Sequence, residues 1–518
     1  MAFKNKIIQT VNLYSIAFWI FIICGLLLIL SSYPMMKLGF DIWDHIRYLR
    51  LAVEDPLLIA TLPKKQWYLA WAYLFRSSGV TDIFTYATVI HRTQFILCCV
   101  MIYVAAKQIF SALLPLKLTI PGENNWLSSM ALSSVLVWLT MIGTFSFFQQ
   151  AWIMWYSVNY QITLPMLLLS IGLCVNLLAI QQPRVQIVLK ISLVALLLMG
   201  IYAFHAAELA YLILYFPILM LCFGTQYKYK LKYILIALVI GGVIVATAVK
   251  LYTGQVPALV TYIMNGQYSK ILADINAKGI YNAVDGGNRY AANWNELYRL
   301  SVYMFGLLGL VGLIAWSRMR VPLTDWFKTD QVNRRVFGFL ILSFVFCFIP
   351  TFKYSSGLAS LITYDAIVNR FYYASFAFLA IPLLGYFLCL HTKYLQYPVG
   401  IIGVSLLVML CTFMYSKRVN NKGVYYNNVK SISKSILDKK IDVGMSDEAV
   451  ENIGSQLRDA EMKYKKDEFM YCGSYESLHV AYYIFDKSNL IFARHGHQAF
   501  SGCEEYAKSI NKRAVYIN

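Results

Sequence analysis

Charge is what this chain has least of. Of its 518 residues only 14% are charged, against 59% hydrophobic and 16% aromatic, and the mean hydropathy is +0.56. That composition excludes an ordinary soluble domain and predicts a polytopic α-helical membrane protein. No Gly-x-x-x-x-Gly-Lys loop occurs, so the usual cradle for nucleotide phosphates is missing. Asp-x-Asp, Cys-x-x-Cys and His/Cys clusters with ligand spacing are absent too, so neither a metal nor a resident cofactor is expected. Acidic residues are few beside basic ones, 26 against 45, which leaves a formal charge of +19. No stretch alternates basic and aromatic residues on a soluble face. Lysines and arginines flanking membrane spans therefore explain the excess better than a nucleic-acid partner does.

Ten cysteines are present, eight of them scattered through apolar runs where packing is their default role. Cys472 and Cys503 lie instead in the polar tail, where an oxidising compartment would let them pair.

The apolar runs predict about eleven spans: 11–31, 93–115, 128–148, 161–181, 186–204, 206–224, 232–251, 298–316, 336–352, 372–391 and 398–416. Lys4 and Lys6 precede the first, which has no small-residue cleavage site behind it, and it reads as a retained signal anchor with its N-terminus inside. Basic residues then gather on inner loops, at Lys228 and Lys230 and at Arg318, Arg320, Lys328, Arg334 and Arg335, as the positive-inside bias requires. The 186–224 run is ambiguous; only His205 and Glu208, with Gly200 before them, mark a turn within it. Segments 32–92, 149–160, 252–297, 353–371 and everything after 416 fall outside. Two domains are expected: a membrane domain over 1–416, whose first outer loop (32–92) carries interfacial helices, and a soluble α/β domain over 417–518. Gln66 to Arg76 is amphipathic and aromatic, as suits an interfacial helix. In the tail, helical patterns near 429–437 and 447–461 alternate with strand-like runs at 480–485 and 490–493.

One stretch stands apart. Phe40-Asp41-Ile42-Trp43-Asp44-His45-Ile46-Arg47 places two carboxylates, an imidazole and a guanidinium just beyond the first span. In a short helix, Asp41, Asp44 and His45 occupy positions i, i+3 and i+4, on one face. A carboxylate at a membrane rim can act as general base toward a hydroxyl; a merely polar loop is the plainer reading. Further ionisable residues fall on the outer side: Lys64, Lys65, His91 and Arg92, His205 with Glu208, and Arg370. Charge at membrane depth is costly and marks functional sites. The cations suit a phosphate, Arg370 above all through bidentate bonding, although an arginine that snorkels to headgroups has the same signature. Trp155, Tyr156 and Asn159 in 149–160, and Arg289 and Trp294 in 252–297, offer the flat faces and polar donors that a sugar ring needs. An interfacial aromatic belt uses the same residue types. His205 and Glu208, one turn apart, suit an acceptor-binding role or a structural pair.

Phe40-Asp41-x-Trp43-x-x-x-Arg47 after the first span resembles the first-loop motif of the oligosaccharyltransferase catalytic subunit and, more broadly, of the GT-C superfamily of polyprenyl-phosphate-dependent glycosyltransferases. Asn369-Arg370-Phe371-Tyr372, ahead of a proline-containing span, is similar to that superfamily's late arginine-tyrosine motif. The resemblance implies a GT-C-like membrane fold and inverting transfer of a sugar, such as glucose, from an undecaprenyl-phosphate donor to a periplasmic glycan such as lipid-linked O-antigen. Asp41 or Asp44 would activate the acceptor and Arg370 would hold the departing phosphate. The chain departs from the oligosaccharyltransferase pattern: its Trp-Trp-Asp motif is absent, and Ile42 stands where proline is expected. Size and tail look loosely like serotype-converting glucosyltransferases of bacterial inner membranes. A polymerase or ligase moving a whole lipid-linked glycan is the alternative within enzymes. A flippase of lipid-linked sugars is the alternative outside them, though transporters usually carry related halves, and no internal repeat is evident.

Overall fold

A computed structural model describes residues 13–30, 41–61, 67–79, 83–113, 123–144, 160–180, 182–209, 211–212, 215, 219, 258–283, 339, 353–362, 376–391, 398–407, 410, 445–485, 487, 503–504 and 507–517. They are mostly helical. In chain order the helices are α1 (Leu13–Leu30), α2 (Asp41–Glu54), α3 (Pro56–Thr61), α4 (Trp67–Ser78), α5 (Ile83–Leu113), α6 (Glu123–Thr144), α7 (Tyr160–Ala179), α8 (Arg184–His205), α9 (Ala258–Met264), α10 (Tyr268–Ala283), α11 (Lys353–Ile362), α12 (Ala380–His391), α13 (Asp447–Lys463) and α14 (Tyr475–Tyr483). Strands β1 (Phe469–Gly473) and β2 (Arg513–Ile517) form a two-stranded parallel sheet.

Among the described residues, three helices are long and apolar enough to cross a membrane: Thr93–Ala112 within α5, Ile162–Ala179 within α7 and Arg184–Phe204 within α8. The ambiguous 186–224 run breaks at its His205–Glu208 pair, because α8 ends at His205 and a 3-10 turn, Ala206–Leu209, follows. Expected spans 232–251 and 298–316 lie outside the described residues.

Chain contacts divide the protein into two compact units, one comprising Met1–Leu28, Thr93–Gln149 and Asn159–Asn427, the other Ile29–Arg92, Gln150–Val158 and Asn428–Asn518. In the first, α7 and α8 form a hairpin that packs on α5 through Ala105, Leu169, Leu173 and Leu197. A Cβ on Gly172 would stand 3.0 Å from the Ala105 carbonyl oxygen, so glycine is what permits the close approach. Lys190, nearly two turns inside α8, donates to Asn176 Oδ1 at 2.6 Å and Gln182 Oε1 at 2.7 Å, and Asn176 donates in turn to Ser111 Oγ at 2.7 Å. This network offsets the cost of a cation beside apolar helices and fixes the hairpin turn. On α1, Phe18 stacks on Tyr103 with centroids 3.9 Å apart, and Ser15 hydrogen-bonds the Tyr103 hydroxyl at 3.0 Å.

The second unit joins the segment that follows α1 to the tail. One hydrophobic core takes Ile46, Leu49 and Ala52 from α2, Ile59 from α3, Tyr68 and Ala72 from α4, Tyr86, Ala87 and Ile90 from α5, and Ile453, Leu457, Phe469, Tyr471, Leu478, Ala481 and Ile517 from the tail. Of the amphipathic 66–76 segment, the part from Trp67 onward is helical as expected, and it buries Tyr68 and Ala72 while Tyr73 stays exposed. Ser446 caps α13 by accepting from the Ala449 amide, and Ser474 caps α14 by accepting from the Ser477 amide. The run 480–485 is therefore helix through Tyr483, and not the strand its aromatic and β-branched composition suggests; the cap at Ser474 sets the backbone before that composition acts. The 429–437 and 490–493 patterns lie outside the described residues. Gly473 lets the Ile517 carbonyl approach β1 closely.

Cys472 on β1 and Cys503 form a disulfide across 31 positions, with Cα atoms 6.1 Å apart. A loop of that length gives a cross-link worth on the order of 3–4 kcal/mol. Replacing both cysteines by alanine in the full-length protein should lower the tail's resistance to urea by about that amount, followed by hydrogen exchange of the α13 peptide in detergent. An unchanged midpoint would show the bond to be dispensable.

Candidate functional site

Helix α2 opens on the acidic stretch. Asp41 begins it, so positions 41, 44 and 45 fall within its first turn, at spacings i, i+3 and i+4. Aspartate is favoured at that end of a helix because the backbone dipole there is positive. The far end is set by Asp55-Pro56: proline disfavours helical backbone in the residue before it, and Asp55 Oδ1 accepts from the Leu58 amide at 3.1 Å to start α3. Between these ends the helix is strongly amphipathic. Ile46 and Leu49 are fully buried and Val53 packs against the same core. At about 100° per residue, position 44 lies on the opposite side of the helix from that stripe.

Side chains from α4 and α14 hold α2. Arg76 of α4 donates to the Val53 carbonyl in its last turn. Arg50 Nε donates to Glu54 Oε1 at 2.7 Å, and its guanidinium lies 4.4 Å from the ring centroid of Tyr482 on α14. His479, also on α14, is fully buried, and burial pushes its imidazole down to about 2, with the Arg47 guanidinium of α2 adding to the shift. Below α4, the Tyr86 hydroxyl donates to the Trp71 carbonyl at 2.6 Å, and burial pushes that phenol up to about 12.

The expected site residues fare unequally. Asp41, Asp44 and His45 share one helical turn. His91 and Arg92 are adjacent within α5, directly before its apolar stretch. His205 is the last residue of α8, and Glu208 sits in the 3-10 turn behind it, which packs on α7. Glu208 is buried, at 2% exposure. Lys64, Lys65, Trp155, Tyr156, Asn159, Arg289, Trp294 and Arg370 lie outside the described residues, as do His495 and His497. Among the described residues no three His, Cys, Asp or Glu side chains gather as a metal site would need. Sequence reasoning missed Arg50, His479 and Tyr482. The usable signal was His479 and Tyr482 at i and i+3 in a helical tail segment with no other imidazole.

The His479 environment sets a pH dependence. An imidazole ordinarily titrates near 6.5. Below that pH the unfolded chain gains a proton that the folded chain refuses until about 2, so stability is full above 6.5 and falls as the pH drops through that window. Between pH 7 and pH 5 the loss amounts to about 2 kcal/mol. His479→Leu should remove this slope. Thermal unfolding of both proteins in detergent at the two pH values checks it, and equal slopes would contradict it.

Comparison with protein-family models, with curated proteins and with solved structures finds no match to this chain.

Proposed function

We propose that this chain is an integral membrane glycosyltransferase of the GT-C kind, with about eleven spans. In this reading it moves one sugar from an undecaprenyl-phosphate donor to a glycan acceptor on the outer, periplasmic side of a bacterial inner membrane. The reading rests on one observation above all: an acidic helix begins at Asp41, shortly after the first apolar helix, and its lower face is anchored in a folded unit. A general base has to be held within hydrogen-bond reach of the hydroxyl it deprotonates, and a helix on a packed core holds it better than a free loop.

In the proposed reaction Asp41 or Asp44 takes the acceptor proton while that oxygen attacks the anomeric carbon from the face opposite the phosphate. The bond from the anomeric carbon to the phosphate oxygen breaks, configuration inverts, and the electron pair leaves with undecaprenyl phosphate. Arg370, with Lys64, Lys65, His91 and Arg92, supplies the positive charge that stabilises the departing phosphate. His45 orients the acid pair. Trp155, Tyr156, Asn159, His205, Glu208, Arg289 and Trp294 are assigned to the sugar and acceptor.

Asp41→Asn and Asp44→Asn are expected to divide sharply. Whichever residue is the base should lose about 10²–10⁴-fold in transfer rate at unchanged expression, measured with purified protein in detergent, polyprenyl-phosphate-glucose and a lipid-linked glycan. Detergent also separates catalysis from transport, because no sealed compartment is present. Full activity in both single variants and in the double variant would eliminate the carboxylate mechanism.

A further inference from the structure

The tail contributes more than core volume to α2. Its helix α14 touches α2 through side chains whose chemistry is directional. Arg50 is held by Glu54, one turn on, with its guanidinium over the Tyr482 ring, 4.4 Å from the centroid. Glu54, Arg50 and Tyr482 therefore form a chain running from the end of α2 to the end of α14. One turn earlier on each helix, Arg47 lies within electrostatic reach of the buried His479. The Arg50–Tyr482 contact, together with burial of Ile46 and Leu49 in the core they share with Leu478 and Ala481, fixes the rotation and the axial position of α2 relative to α14. The helix α14 is in turn rigid: Ser474 caps it, Leu478 and Ala481 enter the core, and the Cys472–Cys503 bond ties the strand just before it.

From this we propose that the tail positions the acidic helix, with Tyr482 and Arg50 as positioning residues that set the placement of the Asp41–His45 turn. The proposal deepens the glycosyl-transfer reading and rests on it for its catalytic consequence, but the mechanical coupling stands by itself. Tyr482 presents its ring to a cation and so acts through its π face. A phenylalanine keeps that face and a leucine keeps only bulk. Rotation of α2 by a fraction of a turn would move its first-turn positions while leaving substrate-binding residues elsewhere untouched, so the loss should fall on kcat and spare the donor KM.

The experiment uses the full-length protein in detergent, as wild type, Tyr482→Phe, Tyr482→Leu, Arg50→Leu and the Tyr482→Leu/Arg50→Leu pair. Hydrogen exchange of the 41–54 peptide reads the coupling. Exchange should be about three- to tenfold faster in Tyr482→Leu and in Arg50→Leu. It should match wild type in Tyr482→Phe and be no faster in the pair than in either single variant. Exchange of the α13 peptide, 447–463, should stay at the wild-type rate in all of them, which separates lost positioning from an unfolded tail. Arg50→Leu leaves the tail sequence intact and keeps the test decisive if Tyr482→Leu unfolds it. In the transfer assay, kcat should fall in parallel with the exchange change at constant donor KM. Faster 41–54 exchange in a wild-type background that transfers no sugar upholds the coupling and refutes the catalytic reading alone. Unchanged 41–54 exchange in both leucine variants, additive effects in the pair, or equal damage from phenylalanine and leucine each overturn the proposal.

Discussion

Burial of one stripe of α2 is the constraint on which the second unit depends. Ile46 and Leu49 are sealed from solvent by residues drawn from opposite ends of the sequence, α4 and α5 on one side and α13, α14 and the parallel strands on the other. Each fully buried side chain of that size contributes about 1.5–3 kcal/mol. The helix cannot leave this core without exposing both residues, nor rotate within it without disturbing Arg50 against Tyr482. The same packing that folds the unit thus also decides which face of α2 carries its first-turn carboxylate positions.

The first unit solves a different problem. Its helices are apolar nearly all round, so burial cannot say which faces meet, and small residues and sparse polar bonds do so instead. Gly172 admits Ala105, Ser15 finds Tyr103, and Lys190 is clamped between Asn176 and Gln182. Glu208, buried in the turn after α8, is the same kind of exception: an ionisable side chain placed where hydrophobicity alone would exclude it.

Much of this was legible in the residues, and for identifiable reasons. The charged stretch at 41–47 and the break at His205–Glu208 show because ionisable groups interrupt long apolar runs, although the stretch reads equally as a polar loop until its helix is seen. The Cys472–Cys503 bond shows because those are the cysteines of the polar tail. The helix at 447–463 shows from its acidic start and periodic apolar face. The segment 480–485 misleads because Val, Tyr, Ile and Phe suit either state, and a serine cap upstream decides. The core shared by the first loop and the tail leaves no trace in pattern. Periodicity tells that Ile46 and Leu49 face something apolar, never which distant segment supplies it. For the same reason His479 and Tyr482 escape notice until α14 is seen beside α2.

Sugar transfer on the outer face is the central claim, and the most direct measurement is the mass of the surface glycan made by cells with and without this protein. The account predicts glycan repeats lighter by a single sugar residue when the chain is missing, restored by the wild-type protein. Identical glycan masses in the two cells, in a strain shown to make both the donor lipid and the acceptor, would contradict it.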